Sequence, residues 1–387
     1  MNQIEAKIIK LIDENRETIL EFGRDIYNHA ELGYKEFRTS GKFVEFMEKR
    51  NLPATKDLAI TGAKAYLNRE KAENISLALL GELDALRIPQ HAHANPETQA
   101  AHCCGHHTQM AGVIGAALAL TDPEVAAALD GQVIFFAVPA EEYGEVEFKN
   151  TLIAENKIQY GGGKCELLRI GAFEDISLCL AHHTGYNGIS FGSGSGNGFV
   201  SKVIRMKGKA AHAAGCPEKG VNALSAASLG LQALGLNRET FRDEDCVRVH
   251  PIMTRGGDLV NVVPDDVVEI AREVFGSDKV SEADLTAHSG GSTDVGDVQH
   301  RMPVLTFHTG GATGGLHQVD FDIVDEEEAY ITTAKLFALS AYRLLRNGAA
   351  CAKQVVNDYK PRFASREEYV AFMDSFNKVE EKIKKVY

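Results

Sequence analysis

Residues 102–107 read His-Cys-Cys-Gly-His-His, three imidazoles and two thiols in six consecutive positions. Imidazole and thiolate are the side chains that hold zinc-like ions well, so the stretch is a candidate metal-binding loop. Other metal-competent residues follow apolar runs elsewhere in the chain. Asp84 comes after Ser76–Leu80, Glu141 and Glu142 after Gln132–Val138, His182 and His183 after Ile176–Ala181, and His317 after Met302–His308 and a glycine-rich turn. A lone histidine after a strand is most often a hydrogen-bonded structural residue, and a Glu-Glu pair is usually solvated. Taken jointly they point to one site, because the C-terminal strand ends of an open parallel sheet share a crevice.

The elements that must position these residues follow from periodicity. Residues 3–30 carry a helical spacing of apolar side chains, Ile4, Ile8, Ile12, Ile19, Leu20 and Ile26 among them, and a second helix is expected from about Thr39 to Arg50. Met110–Leu120 is apolar on all sides and reads as a buried helix directly after the metal-competent loop. With strands at 76–80, 132–138, 176–181 and 302–308 and a long helix at 326–346, the pattern predicts an α/β domain. Its sheet should be mostly parallel and flanked by helices.

Between these halves the composition shifts. Gly188–Gly198 holds five glycines in eleven residues and reads as a flexible crossing. Strands at 199–207, 246–253 and 267–270 and an apolar helix at 222–236 then give a β-α-β-β order, an antiparallel unit. The expected organisation is a metal-binding catalytic domain, 1–187 with 287–387, interrupted by a small α+β lid or dimerisation domain at 188–286. Residues 352–387 are charged and read as a helical surface appendage.

Composition excludes several function classes. The 387 residues are 44% hydrophobic and 25% charged, as in a soluble globular protein of two domains. A net charge of −13 with no Lys/Arg cluster argues against nucleic-acid and anionic-membrane partners. No apolar run approaches the ~18 residues of a membrane span, and Met1–Lys7 lacks a signal core. Seven scattered cysteines make a disulfide framework unexpected, so a reducing cytoplasm is the expected compartment.

Several motifs resemble one family. His-x-Cys-Gly-His at 102–106 followed by Pro-x-Glu-Glu at 139–142 is similar to the metal-dependent amidohydrolases of the aminoacylase and metallopeptidase superfamily, peptidase clan MH. Also similar are His29-Ala-Glu-Leu-Gly33, Gly81-Glu-Leu-Asp-Ala-Leu86, Gly208-Lys-Ala-Ala-His-Ala-Ala214 and Asn261-Val-Val-Pro-Asp265. Ser292-Thr-Asp-Val-Gly-Asp-Val298 resembles the p-aminobenzoyl-glutamate hydrolase branch in particular, beside the hippurate and indole-acetyl-amino-acid hydrolases.

The resemblance implies two divalent ions, zinc or manganese, bridged by the Cys104 thiolate, with His106, Glu142, His183 and His317 as further ligands. Family spacing favours His183 over His182. Glu141 would be the general base, taking a proton from water activated by the ions and returning it to the leaving amine. Asp84 would orient a ligand imidazole, His102 and Asn261 would position ligand or substrate, and His212 would reach a partner subunit's site to stabilise the oxyanion. A homodimer acting on a small amide is therefore expected: an N-acyl, N-aroyl or aminobenzoyl amino acid, or a dipeptide. Two alternatives use the same scaffold, an aminohydrolase releasing ammonia from an aromatic amine and a catalytically degenerate binding protein.

The chain departs from the family in two places. After Cys-Gly-His it reads His107-Thr-Gln109 where amino-acid amidohydrolases usually have Asp-x-His, and the inserted domain is short between Pro264 and Ser292. Cys103 is expected to be a small buried residue, and His91 and His93 to be solvated.

Overall fold

The unbroken apolar runs become the middle of a seven-stranded sheet. In chain order its strands are β1 (Ala54–Leu58), β2 (Gly62–Leu67), β3 (Ser76–Glu82), β4 (Gln132–Val138), β5 (Leu178–Thr184), β6 (Ser190–Phe191) and β7 (Val304–Thr309). Their spatial order is β1-β2-β4-β3-β5-β7-β6. The central strands β4, β3, β5 and β7 run parallel, while β1, β2 and β6 pair antiparallel at the edges. The class is α/β, with the parallel character confined to the centre of the sheet.

The computed structural model describes residues 1–186, 188–192, 196–242, 245, 247–276 and 292–381, with 267–276 described through their backbone. Two compact units divide it, Met1–Gly192 with Asp294–Tyr387, and Ser193–Thr293. Of the residues at the expected boundaries, Asn187 and the pair 286–287 lie outside the described ones, as does most of the short stretch before Ser292.

Every residue of β3 and β4 is buried, which explains their lack of polar alternation: both faces of the sheet are covered by helices. The strand period of two divides their side chains. Leu77, Leu79, Val133 and Phe135 join a core with the helices α1 (Gln3–Glu14), α2 (Arg16–Asn28), α3 (Phe37–Glu48), α4 (His106–Leu120) and 333–345. Ala78, Leu80, Ile134 and Phe136 face the other way, against Leu167, Leu168 and Tyr369. In α4 every residue except Leu118 is buried. It is the helix on which the metal-competent loop ends.

Four elements differ from expectation. The period over 3–30 breaks at Asn15, whose side-chain amide donates back to the Leu11 carbonyl and separates α1 from α2. Strand β5 continues to Thr184, so His182 and His183 lie within it and not beyond its end. The 326–346 segment opens with a π-helical stretch, Glu327–Thr332, before the α-helix Thr333–Leu345, and the Thr333 hydroxyl donates to Ala329 O. The C-terminal residues are no mere appendage: Tyr369, on the helix Arg366–Asp374, is 1% exposed and donates its hydroxyl to Asp297 Oδ1 at 2.9 Å.

In the smaller unit, strands Asn197–Lys207, Asp266–Gly276 and Arg248–Arg255 form an antiparallel sheet with Asp266–Gly276 central. Its helix Ala223–Asn237 starts at Asn222, whose side chain accepts the Ser225 N–H. Among the described residues no helix is long and apolar enough to cross a membrane, and the six described cysteines are all free.

Candidate metal centre

Gly105 makes the loop geometry possible. It is the N-cap of α4 with φ +83°, and a Cβ there would run into the Thr184 side chain, so the chain passes close over β5. Cys104 and His106 flank it. The His106 ring donates through Nδ1 to the Asp84 carbonyl at 2.8 Å, which leaves Nε2 as the lone-pair nitrogen. His183 Nδ1 donates to the Thr184 carbonyl at 2.9 Å, and its Nε2 stands 3.3 Å from the Cys104 sulfur. His317, held in the left-handed region at φ 62°, donates its backbone N–H to Cys103 O and brings Nε2 within 3.2 Å of the same sulfur. Glu142 Oε1 lies 3.1 Å from His317 Nε2.

These donors form two groups that share one atom. Cys104, His106 and His183 make the first; Cys104, Glu142 and His317 make the second. Donors ~2.0–2.3 Å from one ion at a tetrahedral angle stand about 3.5 Å apart, close to the separations seen here. Two buried atoms strengthen the fit. His106 Nε2 and Glu142 Oε1 have no hydrogen-bond partner, although Glu82 Oε2 and His317 Nε2 lie 3.1 Å away without aligning. Buried orphans are rare because each costs about 1–3 kcal/mol. A cation would satisfy both. The residues present therefore fit divalent ions, and the Cys104 sulfur is common to both donor groups.

Electrostatics follow from this crowding. Burial raises the Cys104 thiol, but His106, His183 and His317 beside it outweigh burial and bring it down to about 6. His317 is raised to about 10 by the Cys104 sulfur and the Glu142 carboxylate. Burial opposes ionisation of Glu142, yet His317 and His106 hold it below the usual carboxylate range. Glu141 goes the other way. Burial, then the charges of Glu82 and Glu142, push it well above that range, and its Oε2 is 3.9 Å from His106 Nε2. Two adjacent carboxylates are thus driven apart, one suited to a cation and one to a proton.

The loop carrying them is gripped from behind. Glu141 N–H donates to Asp84 Oδ1 at 3.1 Å and Glu142 N–H to Asp84 Oδ2 at 2.9 Å. Asp84 was expected to orient a ligand imidazole; its carbonyl accepts from the His106 ring at 2.8 Å, while its Oδ1 is 3.4 Å from the same nitrogen and serves the loop. Lys149 Nζ donates to the Glu142 carbonyl at 2.7 Å. A Cβ on Gly163 would collide with the Pro139 carbonyl, so the loop lies directly on that residue.

Beneath it lies a network that sequence reasoning missed. Lys164 is fully buried, with Nζ 2.5 Å from Glu82 Oε1 and 2.6 Å from Asp294 Oδ1. Gln109 donates to Glu82 Oε2 at 2.7 Å and accepts the Glu82 N–H. Lys164 and His106 overcome burial to hold Glu82 down at about 2, whereas burial leaves Asp294 raised to about 6. The alternation Glu82, Asp84 at the end of β3 was the available signal, since residues two apart share a strand face. Gln109, one of the departures from the family pattern, is thus occupied by Glu82. His107, in the same departing stretch, is fully buried with neither ring nitrogen partnered, between His102, Tyr27 and Tyr330.

The remaining expected residues are placed as follows. His182 is buried on the opposite face of β5, its Nε2 2.8 Å from Thr309 Oγ1. His102 is buried with Nε2 unpartnered and makes a ring contact with His107. Cys103 is buried and its thiol is pushed up to about 12 by burial and by Cys104. His91 is not solvated: it is 5% exposed, because its Nε2 donates to the Phe321 carbonyl and its Nδ1 accepts from His93 N–H, while His93 itself is exposed. His212 and Asn261 belong to the smaller unit and are exposed there. His212 Nδ1 accepts the Ala214 and Gly215 N–H groups, and Ala213 N–H donates to Asn261 O.

Comparison with known proteins adds to this geometry. The pattern of Peptidase family M20/M25/M40 matches residues 78–343. Mouse Xaa-Arg dipeptidase is 28% identical over 274 residues, 67% of this chain and 56% of that protein. IAA-amino acid hydrolase ILR1-like 4 of Arabidopsis thaliana is 28% identical over 283 residues, 69% of this chain and 58% of that protein. The chain spans a little over half the length of these curated relatives. Among solved structures, a dinuclear metal binding peptidase of the M20 family from Bacillus subtilis aligns with a TM-score of 0.58, covering 86% of this chain and 99% of that one. At 20% identity the likeness is one of fold.

Proposed function

The chain belongs to peptidase family M20/M25/M40, and on that premise we propose that it is a metal-dependent hydrolase. Its substrate would be the amide bond of an N-acyl, N-aroyl or aminobenzoyl amino acid, or of a dipeptide. The observation that carries the reading is the Cys104 sulfur common to two donor groups, with the partly buried Glu141 carboxylate beside them.

Cys104, His106 and His183 would hold one divalent ion and Cys104, Glu142 and His317 the other. Such ions supply Lewis acidity for a carbonyl and lower the pKa of water to near neutral. Thiolate with imidazole favours zinc by softness, and the carboxylate admits manganese. Glu141 then acts on protons alone. Its carboxylate, with Oε2 3.9 Å from His106 Nε2, would take a proton from the attacking water and pass it to the departing amine. Asp84 keeps the two carboxylates pointed at their tasks through the Glu141 and Glu142 N–H groups.

His212 would supply the oxyanion donor, in trans. Because its Nδ1 accepts two backbone N–H groups, a neutral ring carries its proton on Nε2 and presents a donor. A homodimer is supported by the helix Ala223–Asn237, which is rich in apolar residues yet buries only Ala223 and Ala227, leaving Leu229 and Leu236 68% and 74% exposed.

The test is an assay of chelated and zinc- or manganese-loaded protein on acyl-amino acids, aminobenzoyl-glutamate and dipeptides. Release of the amino acid, abolished by chelation and restored by metal, is expected. Ammonia release instead would favour the aromatic-amine reading, and two bound ions with no product across the panel would mark a binding protein.

A further inference from the structure

Glu36 directly precedes α3 and is wholly buried, yet among the described residues it forms no ion pair. Both of its carboxylate oxygens are used. Oε1 accepts the Ala140 N–H at 2.8 Å, across 104 positions of sequence, and Oε2 accepts the Thr61 hydroxyl at 2.6 Å. Ala140 is the residue before Glu141 and Glu142. It holds φ +48°, a left-handed conformation that strains a non-glycine residue, and its carbonyl accepts the Gly163 N–H at 3.0 Å. With Asp84 taking the next two, three successive N–H groups at 140, 141 and 142 are held by two buried carboxylates.

Strain of this kind persists only where the surroundings over-determine it. Glu36 supplies the one contact that fixes the Ala140 N–H. Without it the Pro139–Ala140 peptide loses its hydrogen bond, and the left-handed Ala140 is held only through its carbonyl and through Asp84 beyond it. A shift there would pass to Glu141 and Glu142, the next two residues of the chain. The donors at Cys104, His106 and His183 are attached elsewhere, to α4 and β5, and would not move.

We propose that Glu36 is a positioning residue that, through the Ala140 N–H, sets the directions of Glu141 and Glu142. The inference rests on the reading that Cys104, His106, Glu142, His183 and His317 bind divalent ions.

The test is a cobalt(II) titration of the metal-free full chain, followed by the thiolate-to-cobalt absorption band, with turnover measured alongside. The parent protein should bind two equivalents. Glu36→Ala should bind the first with unchanged affinity and the second at least ~10-fold more weakly, with kcat down ~10–100-fold and KM within ~3-fold. Glu36→Gln offers an amide oxygen to Ala140 and an amide N–H to Thr61, and should restore both affinities to within ~3-fold of the parent. If Glu36→Ala does not fold, Glu36→Asp, whose carboxylate is one methylene too short to reach Ala140, is read in the same way. Parent-like affinity for both equivalents in either shortened variant overturns the inference, whatever the loss of stability. A parent protein that binds two equivalents but hydrolyses no amide refutes the proposed activity alone, and the titration still decides the role of Glu36. A parent protein that binds no cobalt overturns both.

Discussion

His182 and His183 are consecutive in β5 and serve opposite faces of the sheet. His183 Nε2 stands 3.3 Å from the Cys104 sulfur, whereas His182 Nε2 meets Thr309 Oγ1 at 2.8 Å in the core beside Phe307 and Phe337. The separation follows from the strand period: neighbours in an extended chain point apart, and β5 continues through both residues. His183→Ala should therefore lower affinity for one ion by ~100-fold or more. His182→Gln should retain two ions and show its cost only in stability. Metal content after dialysis against a weak chelator separates the two.

Cys104 predicts a different stoichiometry from any other donor. Because its sulfur belongs to both groups, Cys104→Ala should weaken both ions, and metal content should fall toward zero. His317→Ala touches only the group with Glu142 and should leave one ion per chain. Elemental analysis of the two variants prepared in parallel checks this. Equal retention in both would show that the sulfur does not bridge.

Glu141→Gln should keep the metal and lose the reaction. The amide preserves size and the backbone bond to Asp84 but cannot accept a proton. Positioned acid–base groups contribute ~10²–10⁴-fold, so turnover should fall by that factor with metal content unchanged. A variant of full activity would remove Glu141 from the chemistry.

How far the sequence revealed these features depends on whether the partners were near or apolar. Strands β3 and β4 were legible because residues buried on both faces leave uninterrupted apolar runs. The loop around Cys104 was legible because its ligand types lie side by side. Lys164 was not. It follows three glycines at the start of a short helical stretch, where nothing nearby in sequence marks it as buried, and its partners Glu82 and Asp294 are 82 and 130 positions away. Glu36 and His91 were hidden likewise, each buried by one backbone group far along the chain, at Ala140 and Phe321. A polar residue's burial is set by such partners, and periodicity carries no trace of them.

Asp25 gives a pH dependence with a definite sign. Burial raises its carboxyl, but the Arg38 fork at 2.8 and 2.9 Å and Lys42 at 2.6 Å more than offset that and hold it at about 2. A depressed carboxylate stabilises the fold above its unfolded pKa, near 3.8, and loses that contribution as pH falls toward 2. Asp25→Asn should cost roughly 2 kcal/mol at pH 7, and the gap to the parent should shrink to roughly half by pH 3. Urea midpoints of both proteins from pH 7 to 3 measure it. A gap that stays constant would mean the pairing does not depend on the carboxylate charge.

Lys164 should be the most costly polar residue to remove. It stands between Glu82 and Asp294 with no exposed surface, so its ammonium compensates two carboxylates that water cannot reach. Breaking a buried pair by deleting one partner costs ~3–5 kcal/mol, chiefly through the charge left behind. Lys164→Met should fall in that range by chemical denaturation. The size of the loss alone does not separate lost packing from stranded charge. Adding Asp294→Asn does: the second substitution removes one stranded carboxylate and leaves the methionine packing untouched. If charge is the cause, the double variant should be more stable than Lys164→Met alone, although Asp294→Asn by itself should destabilise the parent. A double variant weaker than either single one would assign the loss to packing and show that the network is not held together by its charges.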